Sequence, residues 1–269
     1  MLHRTEGIVL KTNPFGEADL IVSFLTPDYG LLKTFAKSPR KTGSRFGSSL
    51  EPLTHSRIAF FGKESAPLPR LTQSDIIHPF QLIRSEMGCF IKVLEIIELT
   101  FRFIMEKEFS KKIYILFLET LINIENILRE SSYTSSLKRG GRGDLKAHEK
   151  ALDLILVHYK IKLLKKSGYA PKLDLCGKCG KEADCFFVSQ GSVLCKECSQ
   201  KMDAPFIISK GVTKLYYNLL TWDTKKINRI LPSKELLSEL SNIIDAHIAY
   251  ITSERFSSRE FARSLTCHF

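Results

Sequence analysis

A chain of 269 residues is longer than the roughly 150 typical of one domain and long enough to bury a full core, so two domains are expected. With 43% hydrophobic and 26% charged residues, the composition excludes the disordered, collagen-like and disulfide-dense classes. Forty Lys+Arg against 29 Asp+Glu leave a net charge of +11, which favours a polyanionic partner without choosing between nucleic acid, anionic membrane and acidic protein. No apolar run approaches the roughly 20 residues of a membrane span, and the opening MLHRTEGIVLKT lacks the apolar core of a signal peptide. No membrane association and a cytoplasmic location are therefore expected.

The first 77 residues read as β-structure, in five short runs with partial alternation: 5–12, 18–26, 31–37, 53–61 and 70–77. They are divided by Asn13-Pro14-Phe15-Gly16, Pro27-Asp28-Tyr29-Gly30, the long segment 38–49, and 62–69. Five strands in so short a stretch predict a small closed barrel, of which the OB-fold is the commonest oligonucleotide-binding example. If 31–37 is a strand, its period of two puts Lys33, Phe35 and Lys37 on one face, against Leu32, Thr34 and Ala36 on the other.

No acidic residue falls between Tyr29 and Leu50, where Lys33, Lys37, Arg40, Lys41 and Arg45 cluster. Single-strand binding combines cations along the phosphates with rings that stack on bases, and Phe35 and Phe46 are the candidate rings. Either ring has an alternative role as filling for the barrel.

From Pro79 the texture turns helical, with apolar residues at spacings of three and four through Phe90, Val93, Leu94, Ile97, Phe101 and Ile104. A second helix is expected over 111–129, then a polar loop over 130–143 (ESSYTSSLKRGGRG). Helix resumes at Asp144 as N-cap, runs to about Lys166 and stops at Gly168; further helices are predicted over 210–221 and 233–252. The expected domains are a nucleic-acid-binding barrel at 1–78 and a helical domain at 79–269. A second acid-free stretch, 154–173, carries Lys160, Lys162, Lys165, Lys166 and Lys172.

Four of the seven cysteines form Cys176-x2-Cys179-x15-Cys195-x2-Cys198, the spacing of two knuckles that present four thiolates to one zinc ion. A closed four-sulfur set leaves no position for water or substrate, so such a zinc is structural. The alternatives, redox-active or free thiols, do not require two matched pairs. The module, at about 172–204, is expected to close a hairpin that includes Phe186, Phe187 and Val188. Cys185 and Cys89 read as thiols outside the site, and Cys267 carries no signal.

No catalytic constellation assembles. The seven histidines are scattered, Gly140-Gly141-Arg142-Gly143 lacks the Lys-Ser/Thr of a phosphate loop, and Glu95, Glu98 and Glu106 read as the solvated side of a helix. No enzyme activity is expected.

TEGIVLKTNPFGEADLIVSFLTPDYGLLKTFAKSPRKTGSRFGSSLEPLT, PRLTQSDIIHPF and LLKKSGYAPKLDLCGKCG together resemble the RecO recombination mediators of bacteria. The resemblance spans the barrel, the helical middle and the cysteine segment, and departs at Ser38-Pro39 and Gln190-Gly191-Ser192. It implies an α+β architecture: an OB-fold followed by an α-helical domain with an inserted four-cysteine zinc module. It implies binding of single- and double-stranded DNA, strand annealing, association with RecR, and help in placing RecA on strands coated by single-stranded DNA-binding protein. The family's basic stretch falls on Lys37, Arg40, Lys41, Arg45 and Phe46, and its metal motif on Cys176, Cys179, Cys195 and Cys198. An acidic tail of single-stranded DNA-binding protein is expected to dock on the helical domain beside 160–172. The competing readings are a zinc-ribbon RNA-processing enzyme and a protein-interaction scaffold.

Overall fold

The computed structural model describes residues 1–39, 44–62, 68–104, 107–137, 142–200, 205–229 and 231–252, with side chains undescribed at 107–110, 131–137, 142–148, 225 and 228. Two compact units form: residues 1–93 with 99–125, and residues 94–98 with 126–269.

The first unit is built on a closed barrel of β1 (Leu2–Phe15), β2 (Asp19–Thr26), β3 (Gly30–Ala36), β4 (His55–Phe61) and β5 (Arg70–His78), in the order β1-β2-β3-β5-β4. This is the OB-fold arrangement. The long first strand serves two neighbours: residues 2–8 pair with β4 and residues 8–15 with β2. Strand pairing continues through Asn13, Pro14 and Phe15, where the sequence predicts a turn; the reversal is confined to Gly16–Ala18, with Gly16 at φ +65°. The Pro14 ring tolerates this place because a hairpin end demands little of its missing N–H. Val9, Val22, Phe24, Ala36, Ile58 and Leu71 fill the barrel, together with Phe46 and Leu50 from the β3–β4 connection.

The predicted helices form, with shifted ends: α1 (Gln81–Ser85), α2 (Met87–Phe103), α3 (Lys107–Leu137), α4 (Arg142–Lys166), α5 (Lys210–Thr221) and α6 (Lys234–Thr252). The third helix runs far into the predicted loop, since the Ser-rich segment 131–137 continues its backbone ladder. Gly168 sits at φ +80° and ends α4 as expected. In the first unit, Arg84 of α1 donates to the carbonyls of Pro52 and Pro79 and to Thr54 Oγ1. Tyr114 of α3 meets His55 of β4 at 2.9 Å, and Glu125 of α3 meets His78 of β5 at 2.6 Å.

In the second unit, α4 carries Tyr159, Ile161, Leu163 and Leu164 fully buried. A three-stranded sheet, β7-β6-β8, is formed by β6 (Cys185–Phe187), β7 (Ser192–Leu194) and β8 (Phe206–Ile207). Among the described residues no helix is long and apolar enough to cross a membrane.

Candidate metal centre and nucleic-acid interface

The two Cys-x-x-Cys turns fold locally through backbone hydrogen bonds. The Gly180 N–H donates to Cys176 O at 2.9 Å, and the Cys198 and Ser199 N–H groups donate to Cys195 O at 3.0 Å. Gly180 takes φ +75°, which an L side chain adopts only with strain. At Gly177 a Cβ would overlap the side chain of Ser192, so the first turn can approach β7 only with glycine at this position. Cys195 follows β7 directly, and the β6–β7 hairpin thereby carries the second turn to the first.

The four sulfurs of Cys176, Cys179, Cys195 and Cys198 all lie within 4.8 Å of one another, with Cys179 and Cys195 at 3.6 Å. A tetrahedral ion with bonds of about 2.3 Å requires sulfur separations of about 3.8 Å, so the donor set and its spacing fit a four-coordinate metal. Cys185 stands outside this cluster, its thiol facing Asp184 at 3.4 Å. Backbone N–H groups, that of Cys195 foremost, draw the Cys176 thiol down to about 6. Hydrogen bonds with the Cys195 and Cys179 sulfurs push Cys198 up to about 12. Crowded thiols share protons in this way, and a divalent cation takes the protons' place. Phe187 and Leu194 pack under the cluster as its apolar base. Cys89, 2% exposed on α2, is a buried apolar thiol, and Cys267 lies outside the described residues.

The barrel brings a second set of residues together. Along β3 and at the residue just past its end, Lys33 and Lys37 are exposed and Phe35 is half-buried, while Thr34 and Ala36 are buried, as the alternation predicts. The cross-strand register extends this face: Lys11 of β1 lies opposite Ser23 of β2, which lies opposite Lys33; Asn13, Ile21 and Phe35 form the next row. Phe15 is 51% exposed and meets Phe35 edge-to-face at 5.8 Å. Lys11 was not singled out by the sequence because a bulge intervenes, and Phe15 because Asn13-Pro14-Phe15-Gly16 reads as a turn. Pairing slips between Val9 and Lys11, so Val9 points into the core and Lys11, two residues on, points outward. Among the described residues, Lys11, Lys33, Lys37 and Arg45 form no ion pair.

Asp19, at the same end of the face, accepts the Ser38 N–H at 2.6 Å, with Ser38 at φ +55°. That bond fixes where the basic connection leaves β3. Arg40 and Lys41 lie outside the described residues. Arg45 is exposed, with its guanidinium 4.9 Å from the centre of the Phe46 ring. Phe46 itself is a correction: it is 3% exposed within the barrel core and offers no face to a base. Burial of its apolar ring against the core outweighs exposure beside the cations, and Leu50 of the same connection is buried with it.

The second basic stretch is also corrected. Lys160 is buried, with its ammonium 2.7 Å from Glu95 and 2.8 Å from Asp245. Lys162 and Lys165 donate to the Leu220 carbonyl at the end of α5. Glu95 is accordingly part of a largely buried ion cluster and not of a solvated helix face; Glu106 lies outside the described residues.

Comparison with known proteins follows this division. Residues 1–80 match the family description "Recombination protein O N terminal", and residues 144–260 match "Recombination protein O C terminal". The chain is 39% identical over 254 residues to DNA repair protein RecO of Thermodesulfovibrio yellowstonii, covering 92% of each chain. The chain belongs to the RecO family. It is also 28% identical to the RecO protein of Caldanaerobacter subterraneus subsp. tengcongensis, over 98% of each chain. With RecO of Syntrophus aciditrophicus it shares 29% identity over 95% of this chain and 93% of the other. The RecO signature thus covers both the barrel with its cationic face and the unit that holds the four-cysteine cluster.

Proposed function

We propose that this RecO-family protein is a non-enzymatic, DNA-binding mediator of recombinational repair in the cytoplasm. It binds single- and double-stranded DNA, anneals complementary strands and, together with RecR, helps load RecA onto strands coated by single-stranded DNA-binding protein. The observation that carries the DNA-binding part is the outer face of β1, β2 and β3: Lys11, Lys33 and Lys37 share it with the exposed Phe15 ring and the half-buried Phe35 ring that meets it. The cations track phosphates, and the rings stack on bases of any identity. Arg45, exposed on the β3–β4 connection, adds a further cation, and Arg40 and Lys41 are assigned to the same interface from the sequence.

Annealing on such a surface is electrostatic. Each phosphate neutralised by Lys or Arg releases condensed counterions, and two backbones held on one cationic protein repel each other less. Base pairing between the strands supplies the specificity, because phosphate contacts position a strand without reading it. In the second unit, Cys176, Cys179, Cys195 and Cys198 would hold one zinc ion as four thiolates. That ion supplies folding free energy to a module too small to close by its apolar base alone.

The test is annealing of complementary oligonucleotides, bare and precoated with single-stranded DNA-binding protein, with the wild type and with Lys33→Ala/Lys37→Ala. Slower annealing and weaker strand binding by the variant, at unchanged metal content and thermal midpoint, support the reading. Full annealing by a folded variant that also lacks Arg40, Lys41 and Arg45 overturns the assigned face.

A further inference from the structure

The barrel closes through a parallel bridge between β3 and β5. The Phe35 N–H donates to the Pro69 carbonyl at 2.8 Å, and Phe35 and Arg70 are partners in register. Arg70 is in turn the partner of Phe61 on β4, and Phe61 that of Leu2 on β1. One row of cross-strand partners therefore runs round an end of the barrel in the order Asn13, Ile21, Phe35, Arg70, Phe61, Leu2. Partners in register project to the same side of a sheet, so Arg70 and Phe61 continue the outer face of Phe35 in the direction away from β2. Both are exposed, Phe61 with 59% of its surface in solvent.

A lone exposed phenylalanine on a protein surface is ordinary. Phe61 is set apart by its neighbours. Arg70 stands between it and Phe35, which puts a guanidinium between two rings that lie two strand spacings, about 10 Å, apart along the sheet. Arg4, the next outward residue of β1 after Leu2, adds a second exposed cation at this end. Among the described residues neither arginine forms an ion pair. The carboxylates of the same three strands belong to a row further from the end, where Glu6 pairs in register with Arg57 and Arg57 with Asp75. Positive charge is thus concentrated at the barrel end, and the acids beyond it disfavour a polyanion laid along the length of β4 and β5.

A cation between two rings suits a single strand, in which each phosphate is followed by a base whose flat face any aromatic ring can stack on. We propose that Phe61 and Arg70 form a further DNA contact, by which a single strand leaving Phe15 and Phe35 passes round the end of the barrel onto β5 and β4, with Arg70 on a phosphate and the Phe61 ring against a base. The inference rests on the reading that the outer face of β1 to β3 binds single strands, and carries that path past β3 to residues outside the basic connection.

The full-length, metal-loaded protein is titrated by fluorescence anisotropy with thymidine oligomers of about 6 and about 16 nucleotides, within the range of OB-fold site sizes. Phe61→Ala and Phe61→Leu should each weaken the longer oligomer about tenfold, within the range for loss of one stacked base, and the shorter by less than about twofold, since the face of Phe15 and Phe35 holds it. Phe61→Trp should retain affinity for both, because stacking needs a ring. Arg70→Ala should flatten the salt slope of the longer oligomer by about 0.7, and Arg70→Lys should keep it. Both positions are exposed, so thermal midpoints should stay near wild type. Unchanged binding of the longer oligomer by a folded Phe61→Ala or Arg70→Ala variant overturns this inference. If Lys33→Ala/Lys37→Ala still weakens that oligomer, the reading of the β1 to β3 face stands without it; if that variant too binds as wild type, both fail. Equal losses on the two lengths place Phe61 within the first contact and overturn the path round the barrel end.

Discussion

His158 on α4 donates its Nε2–H to the carbonyl of Trp222 at 3.3 Å, and its Nδ1 is buried with no hydrogen-bond partner. A proton on that second nitrogen would be a cation with nothing to receive it. Burial, reinforced by the Lys162 charge and opposed by the Trp222 bond, pushes the imidazole down to about 3.

Acid sensitivity follows from that shift. Above pH 6.5 the ring is neutral in both native and unfolded chains and contributes no pH dependence. Below it the unfolded chain takes up a proton that the native protein refuses, so stability falls as pH falls, until the native ring titrates near pH 3. From pH 6.5 to 5 this one group costs about 2 kcal/mol. His158→Gln should therefore flatten urea stability against pH between 7.5 and 5. An unchanged difference in midpoint between wild type and variant at the two pH values would refute the assignment.

The metal centre gives a separable prediction. Protein purified without chelator should contain about one zinc per chain by elemental analysis. Cys195→Ser removes a ligand and should lower both zinc content and the thermal midpoint. Cys185→Ser should leave zinc unchanged, since its thiol faces Asp184 and not the four-sulfur cluster. Zinc loss in the Cys185 variant would require a different ligand set.

Much of this architecture was legible in sequence because it rests on local signals. The alternation of Lys33, Phe35 and Lys37, the paired Cys-x-x-Cys turns and the stop at Gly168 all appear where predicted. What stayed hidden depends on distant partners. Lys160 reads as surface charge until α2 and α6 bring Glu95 and Asp245 to it, 65 and 85 residues away. Burying such a cation is tolerable only when carboxylates meet it, and a window along one chain segment shows no such pairing. Lys11 was missed for a different reason, since a one-residue bulge exchanges inside and outside and leaves no compositional mark.

Phe35 and Phe46 lie eleven residues apart in the same basic region yet have opposite expected behaviour. Phe46→Ala hollows the barrel core and should cost about 3 to 5 kcal/mol of stability, read in chemical denaturation. Phe35→Ala removes a half-buried ring from the outer face, where it pairs with Phe15. It should leave the fold near wild type while weakening single-strand affinity by about 1 to 3 kcal/mol. A Phe35 variant that binds normally would reduce this face to an electrostatic surface without stacking.

Salt dependence distinguishes the cations that touch phosphate from those that serve solubility. Lys11, Lys33, Lys37 and Arg45 are exposed and without ion pairs among the described residues, so each is available to a phosphate. If these four and the sequence-assigned Arg40 and Lys41 each meet a phosphate, about six are neutralised, and log K against log salt should fall with a slope of about −4, taking about −0.7 per contact on single strands. Each single alanine substitution should flatten the slope by about 0.7 and weaken all sequences nearly equally, since phosphate contacts carry no base information. Lys11→Ala is the sharpest case, because only the bulged register places it beside Lys33. If Lys11→Ala leaves the slope unchanged while Lys33→Ala flattens it, the strand runs along β3 and its connection without crossing β1. If neither changes it, DNA is held away from this face.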